Sequence, residues 1–393
     1  MARPADAPAG APRFWNDPAF RSLAFQAAVL AVVLAVGYYL FQNVQANLAR
    51  QNIATGFGFL GREAGFEIGE SPIPYSAADT YLKALWVGVL NTLRVSFIGI
   101  VLTVILGTFV GIARLSSNWL VSRLAGGYIE ALQDVPVLLQ LFFWYALFNE
   151  ILPSPRQALH PLPGVYLCNR GLLLPVPEGH PAYRWAAVAF LVACLLVWAI
   201  RRWARRRQEA TGKIFPTFRV GLGLLVGLPV LGWWLGGAPT AVSVPVLKGF
   251  NFRGGLALSP EFAALLLGLV LYTSAFVAEI VRAGIQSVSH GQTEAAMSLG
   301  LTPGQTLNLV ILPQALRVIV PPLTSQMLNL TKNSSLAVAI GFPDFVSVAN
   351  TTINQTGQAI EGVVLIMVVY LMFSLSTSAF MNWYNKRIAL VER

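Results

Sequence analysis

Ser287-Val288-Ser289-His290-Gly291-Gln292-Thr293-Glu294-Ala295-Ala296-Met297-Ser298-Leu299-Gly300-Leu301-Thr302-Pro303 lies between two long apolar stretches. It reads as a short helix. Ser289 can cap it, and Gln292 at the third position completes a capping box. Ala295, Ala296, Met297 and Leu299 favour helix. Gly300 stands where a helix ends in a left-handed residue. Thr302 caps the next helix, with Pro303 at its first position and Gln305 at its third. A helix with a defined stop and a defined restart makes a compact knob, suited to docking into a cleft on another protein.

The stretches on either side set the class. About 20 apolar residues cross a bilayer as a helix. Residues 260–281 precede the knob and 304–340 follow it; further spans are expected at 23–41, 95–113, 125–150, 182–200, 218–236 and 359–383. Composition agrees over the 393 residues: hydrophobic residues are 55% and charged residues 11%, against about 25% charged in soluble proteins. That charge content cannot coat a soluble enzyme of this size. Disorder and a disulfide scaffold are excluded as well. The expected fold is all-α, a polytopic membrane protein with about eight transmembrane helices.

Charge gives the orientation. The net charge is +10, with the positives beside the spans, as cytoplasmic flanks carry them. The densest run, Arg201-Arg202-Trp203-Ala204-Arg205-Arg206-Arg207, reads as a cytoplasmic loop; Arg3, Arg13, Arg21, Arg114, Arg123 and Lys386-Arg387 agree. Eight crossings put both termini on that side. Leu23–Phe41 reads as a retained anchor, too long for a signal-peptide core. The Gly-rich segment 43–80 and the Pro-rich loop 151–181 are expected outside. Tyr81–Arg94, with Lys83, Asn91 and Arg94, is expected along the outer surface before the chain turns in. In 304–340, Pro313, Pro321 and Pro322 are expected to break the helix, and broken membrane helices often line a pathway. Nothing accompanies the positive charge that would read nucleic acid. Cys168 and Cys194 make no disulfide framework. His160, His180 and His290 are far apart, with no HExxH or CxxC, so no metal motif is present. No GxxxxGK[ST] occurs, since Gly212-Lys213 is followed by Ile214, so the chain does not cradle nucleotide phosphates itself.

The resemblance then becomes specific. Glu294-Ala295-Ala296, Gly300 six residues after the glutamate, and Val310-Ile311-Leu312-Pro313 resemble the EAA loop of ABC importer permeases, with Val310 where the family usually has Ile. Further matches are Ala275–Ile285, Leu312-Pro313-Gln314-Ala315-Leu316-Arg317, Pro321-Pro322-Leu323, Lys332-Asn333-Ser334-Ser335-Leu336, Tyr128-Ile129-Glu130 and Pro136–Phe143. Together these are similar to the polar-amino-acid branch, the permeases for histidine, glutamine, glutamate and arginine. Gln133-Asp134 departs from it, where the branch usually carries an arginine and a small or polar residue. The match covers about 81–150 and 259–385.

The layout resembles the larger permease subunits of general L-amino-acid uptake systems in Gram-negative bacteria, and of glutamate/glutamine/aspartate/asparagine systems. It implies a type I ABC importer permease architecture with four parts. Residues 1–80 would be an anchor and periplasmic segment, 81–150 a first part of the core, 151–258 an insertion holding two extra spans, and 259–393 the second part of the core. The resemblance also implies a non-enzymatic transport subunit of the inner membrane. Its partners would be an ATPase subunit dimer carrying ATP and Mg, a second related permease, a periplasmic amino-acid-binding protein, membrane lipid and a polar L-amino acid. Gly291, Gln292, Glu294, Ala295, Ala296, Gly300 and Pro303 would couple to the ATPase, with Glu294 seating the knob.

Other side chains are candidates on chemistry alone. Glu279 and Arg282 share a helix face and read as a structural ion pair or a gate. Lys332, with Asn329, Thr331, Asn333, Ser334 and Ser335, makes a polar patch late in its span, and ionisable groups in spans usually face a cavity or a partner. Lys332 suits an amino-acid carboxylate or the outer interface equally. Asn91 and Gln140 are weaker pathway candidates. Glu130 and Asp134 read as a solvated helix end, and Phe142-Phe143-Trp144-Tyr145 as an interfacial belt. The alternative function is a secondary transporter driven by an ion gradient, which needs midplane carboxylates and repeats across the chain. A membrane enzyme would need a convergent catalytic set that is not visible.

Overall fold

The computed structural model describes residues 18–50, 55–213 and 215–388. Arg3, Arg13 and Ile214 lie outside the described residues. Twelve α-helices are described: α1 Pro18–Arg50, α2 Tyr81–Arg114, α3 Trp119–Asp134, α4 Val137–Ala146, α5 Pro181–Thr211, α6 Thr217–Leu235, α7 Pro260–Gln286, α8 His290–Ser298, α9 Pro303–Thr306, α10 Leu312–Asn333, α11 Phe345–Thr356 and α12 Ala359–Ile388. Seven helical stretches among the described residues are long and apolar enough to cross a membrane, and α3 with α4 makes an eighth if that bent pair is one span.

The chain divides into two compact units. The first takes residues up to Val89 together with Phe345–Phe373. Its core joins Phe59, Tyr81, Ala84, Leu85, Phe345, Val348 and Ala349. The Tyr81 hydroxyl donates to Gln355 Oε1 at 3.0 Å, and Gly56 N donates to Glu361 Oε1 at 2.6 Å. No described side chain of α1 is buried within the structure; an apolar helix exposed all round is suited to lipid.

The second unit, Leu90–Asp344 with Ser374–Arg393, is built on α7. Phe262, Ala264, Leu265 and Leu269 of α7 are buried with Val95, Leu141, Leu330 and Phe342. Small residues let membrane helices approach closely. A Cβ at Gly107 would meet Val277 at 2.6 Å, and one at Gly111 would meet the Ala278 carbonyl at 2.6 Å, so these two glycines set the α2–α7 distance.

Three expectations are corrected. Tyr81–Arg94 does not lie apart from the span: it is the first part of the continuous helix α2. Its polar residues do not end the helix because each has a partner. Lys83 pairs with Asp79 at 2.8 Å, Asn91 Nδ2 donates to the Pro343 carbonyl at 2.9 Å, and the Arg94 guanidinium sits 4.5 Å over the Phe262 ring. Second, 125–150 is not one straight span. The chain bends by 102° between α3 and α4. Pro136 disfavours helical backbone at the residue before it, and Val135 is extended at φ −96°, ψ 125°. Third, Arg201–Arg207 is not a loop. It continues α5 to Thr211, where Gly212 closes the helix at φ 67°, because no proline or glycine intervenes and arginine favours helix.

The insertion forms a helical hairpin, α5 and α6, framed by two loops that do more than connect. Residues Leu159–Leu162 (β1), Val165–Cys168 (β2) and Gly171–Leu174 (β3) pair in order and then with Leu256–Leu258 (β8) in a small antiparallel sheet. Val176–Pro177 (β4) pairs with Val242–Ser243 (β5), and Val246–Lys248 (β6) with Asn251–Arg253 (β7). Cys168 is buried in these strands and Cys194 is exposed on α5; neither is bridged.

The proline-rich span takes two forms. After α9 the helix widens to a π-turn at Leu307–Ile311, and Pro313 follows it near the start of α10. The wider turn absorbs the hydrogen bond that Pro313 cannot donate. Pro321 and Pro322 lie inside α10, which runs on to Asn333 before a 3₁₀ segment, Ser334–Ile340.

Candidate functional site

The knob is α8. Helix α7 is followed by its C-cap Ser287, whose hydroxyl donates to the Gly284 carbonyl at 2.8 Å. Ser289 is the N-cap at φ −61°, ψ 142°, but its side chain makes no capping bond. The capping box expected there is therefore absent. The one expected at Thr302 is present: Thr302 N donates to Gln305 Oε1 at 2.9 Å, and Gln305 N to Thr302 Oγ1 at 3.4 Å, with Pro303 at the first helical position.

The stop is a Schellman motif. Gly300 N donates to the Met297 carbonyl at 2.9 Å and Leu301 N to the Ala296 carbonyl at 3.2 Å. Gly300 takes φ +78°, and nothing lies within 4 Å of where its Cβ would stand. Glycine is therefore required by the backbone, not by crowding.

Burial separates the faces of α8. Ala296 is buried, whereas Gly291, Gln292, Glu294 and Ala295 are exposed. Glu294 Oε1 lies 3.0 Å from His290 Nδ1, one turn earlier on the exposed surface. Met297 is 51% and Leu299 82% exposed. Both stand at the end of α8, where the Schellman motif fixes the backbone. Sequence reasoning did not single out Met297, Leu299 or His290; apolar residues at the last turn of an otherwise polar helix were the available signal. Gln314 Nε2 donates to the Val310 carbonyl at 2.9 Å and reaches Gln292 Oε1 at 3.4 Å. The start of α8 is thereby tied to the start of α10.

Helix α10 carries the polar patch, and the structure splits it. Thr331 Oγ1 donates to the Met327 carbonyl, Ser334 Oγ to Thr331 and Ser335 Oγ to Lys332, at 3.0, 2.7 and 2.7 Å. These hydroxyls are spent on the helix itself. Asn329 and Lys332 are exposed, and so is Ser325 one turn before Asn329. Spacings of four and three residues put these three on one face. Such a stripe is costly against lipid, so it suits water or a partner.

Two other candidates have structural work. Gln140, 5% exposed, donates through Nε2 to the carbonyls of Leu132 and Val135, both at 2.9 Å. It satisfies acceptors left open where α3 stops. Asn91 is fully buried, its amide committed to Pro343. Glu279 and Arg282 form a forked ion pair, with Arg282 Nε 3.1 and 3.0 Å from the two carboxylate oxygens, and Arg282 also donates to Gln286 at 3.0 Å. Glu130 and Asp134 are exposed on α3. Among the described residues no group of three or more His, Cys, Asp or Glu could hold a metal ion.

The chain is similar to known proteins. The family described as binding-protein-dependent transport system inner membrane component matches residues 99–390. The chain is 49% identical to the general L-amino acid transport system permease protein AapQ of Rhizobium johnstonii, over 96% of this chain and 94% of that one. It is 51% identical to the putative amino-acid ABC transporter permease protein YhdX of Escherichia coli, over 96% of each. It is 42% identical to the glutamate/glutamine/aspartate/asparagine transport system permease protein BztB of Rhodobacter capsulatus, again over 96% of each.

Proposed function

The chain belongs to the family of binding-protein-dependent transport system inner membrane components, and on that premise we propose that it carries polar L-amino acids inward as the permease subunit of an ATP-driven importer. It is a multi-pass membrane transport subunit, not an enzyme. The named substrates of AapQ and BztB support the amino-acid class. The relatives give a gradient-driven transporter no support.

The observation that carries the mechanism is α8, a helix fixed at its end by Gly300 that presents Glu294, Met297 and Leu299 outward. We read it as the coupling knob for a separate ATPase subunit, which would hold ATP and Mg. Ala296 seats the knob on its own chain, and the Gln292–Gln314 contact passes its movement to α10. The exposed face of Ser325, Asn329 and Lys332 then lines the route, where the Lys332 ammonium suits the substrate carboxylate. Glu279 and Arg282 brace α7, and Asn91 and Gln140 hold the helices in place. Both termini are cytoplasmic in this reading, the β-strands lie outside, and the partners are a second related permease and a substrate-binding protein.

The test is uptake of labelled L-glutamate and L-glutamine by proteoliposomes containing the complete complex. ATP inside and binding protein outside should suffice, with uptake unaffected when ion gradients are collapsed. Uptake that follows a proton or sodium gradient without ATP refutes the proposal.

A further inference from the structure

We infer that the end of α5 and the start of α6 form a binding site for the headgroup of an anionic phospholipid. Trp185–Ile200, the uncharged stretch between Arg184 and Arg201, rises about 24 Å at 1.5 Å per residue, which matches the bilayer's hydrocarbon once the flanking arginines extend along the helix to the headgroups. The helix does not stop there. It continues through Arg201, Arg202, Arg205, Arg206 and Arg207 to Thr211, so the arginines begin where the headgroups begin.

The arginines are grouped. At 3.6 residues per turn, Arg201, Arg205, Arg202 and Arg206 fall within an arc of about 140°. All five side chains are exposed, and none makes a salt bridge among the described residues. Two lie against indoles: Arg202 is 5.8 Å from the Trp198 ring and Arg207 is 5.2 Å from Trp203. Trp203 in turn meets Phe215 edge-on at 5.3 Å, across the turn into α6. Tryptophans flanking the charges are the side chains that settle at headgroup depth.

The second helix adds to the same layer. Lys213 stands in the connecting turn and Arg219 in the first turn of α6, both exposed, with Glu209 the acidic residue among them. Orientation of a hairpin needs a bias of a few charges; this cluster is larger, fixed on a helix and without carboxylate partners. A basic cluster directly beyond a membrane helix is the chemistry that holds anionic headgroups, and arginine forks match phosphate oxygens in pairs. The inference stands apart from the importer assignment, because it uses only this hairpin and its place in the bilayer.

The probe is phosphatidylglycerol against phosphatidylcholine of the same acyl chains, added to the full chain in mild detergent and read as retained adducts by native mass spectrometry. The wild type should retain phosphatidylglycerol preferentially. The preference should fall about fivefold for each arginine neutralised and weaken in high salt. A chain with all five arginines changed to glutamine should keep only the small share of the preference that Lys213 and Arg219 hold. The corresponding lysine chain keeps the charge and should retain part of it. If the glutamine chain fails to insert, Arg205→Gln with Arg206→Gln supplies the measurement. Equal retention of both lipids by the wild type overturns the inference, as does an unchanged preference in the double variant.

Discussion

Gly300 gives the sharpest test of the knob. Its φ of +78° lies in the left-handed region, and the space around its missing Cβ is empty. Substitution by alanine therefore has no steric clash to resolve, only a backbone penalty of about 1–2 kcal/mol. That penalty is about a 5- to 30-fold loss of the closed Schellman geometry, and valine should lose more, since a β-branched residue is a true outlier there. Asparagine tolerates this region and should recover part of the loss. Gly223 supplies the control: it lies inside α6, away from the knob and also in open space, and alanine there favours the helix. The assay is ATP-driven uptake in proteoliposomes, with co-purification of the ATPase as the second readout. Uptake should fall in the order Gly300→Asn, Gly300→Ala, Gly300→Val, with Gly223→Ala near wild type. Equal uptake by Gly300→Val and wild type, with both chains assembled, would refute the argument that this turn fixes a docking element.

Leu299→Glu changes a side chain that is 82% exposed, so thermal stability should stay within about 0.5 kcal/mol while ATPase co-purification drops. Gln140→Leu removes the hydrogen bonds to the Leu132 and Val135 carbonyls, at about 0.5–1.5 kcal/mol each; a thermal-melt assay of the detergent-solubilised chain should show the loss, and an unchanged melt refutes the role. Gly111→Leu drives a side chain into the Ala278 backbone, and overpacking of about 1–3 kcal/mol should lower the same melt. Asp79 is held below the usual carboxylate range by the hydrogen bond from Lys83 and then by the Ser76 backbone amide. A lowered folded value means its contribution is present above the ordinary carboxylate range and lost as pH falls through the lowered one; Asp79→Asn should remove that part of the acid dependence of the melt.

The membrane class and the helix count were legible because both follow from apolar length, which needs no tertiary information. The knob was legible because its ends are written locally, in Gly300, Thr302 and Pro303. What was not legible depends on which partner the folded backbone brings to each polar side chain. Lys83, Asn91 and Arg94 look like residues that end a span until Asp79, Pro343 and Phe262 are placed beside them. Gln140 looks like a pathway amide until the Pro136 break shows two open carbonyls within its reach. The basic run reads as a loop if charge ends the helix, whereas charge ends only the apolar part. The strands are not legible for a different reason: each is two to four residues, too short for an alternating pattern to show.

The pairing of β3 with β8 bears on how such a chain is assembled from parts. Leu174 faces Leu256 in register, about 5 Å apart as neighbouring strands are. Everything between them, the α5–α6 hairpin included, leaves and re-enters the permease at one doorway. A segment with adjoining ends is a cassette: it can be gained or lost without moving what lies on either side. Joining Leu174 to Leu256 by a two-residue Asn-Gly turn closes the doorway as an ordinary β-hairpin, leaving a smaller permease with α7 anchored as before.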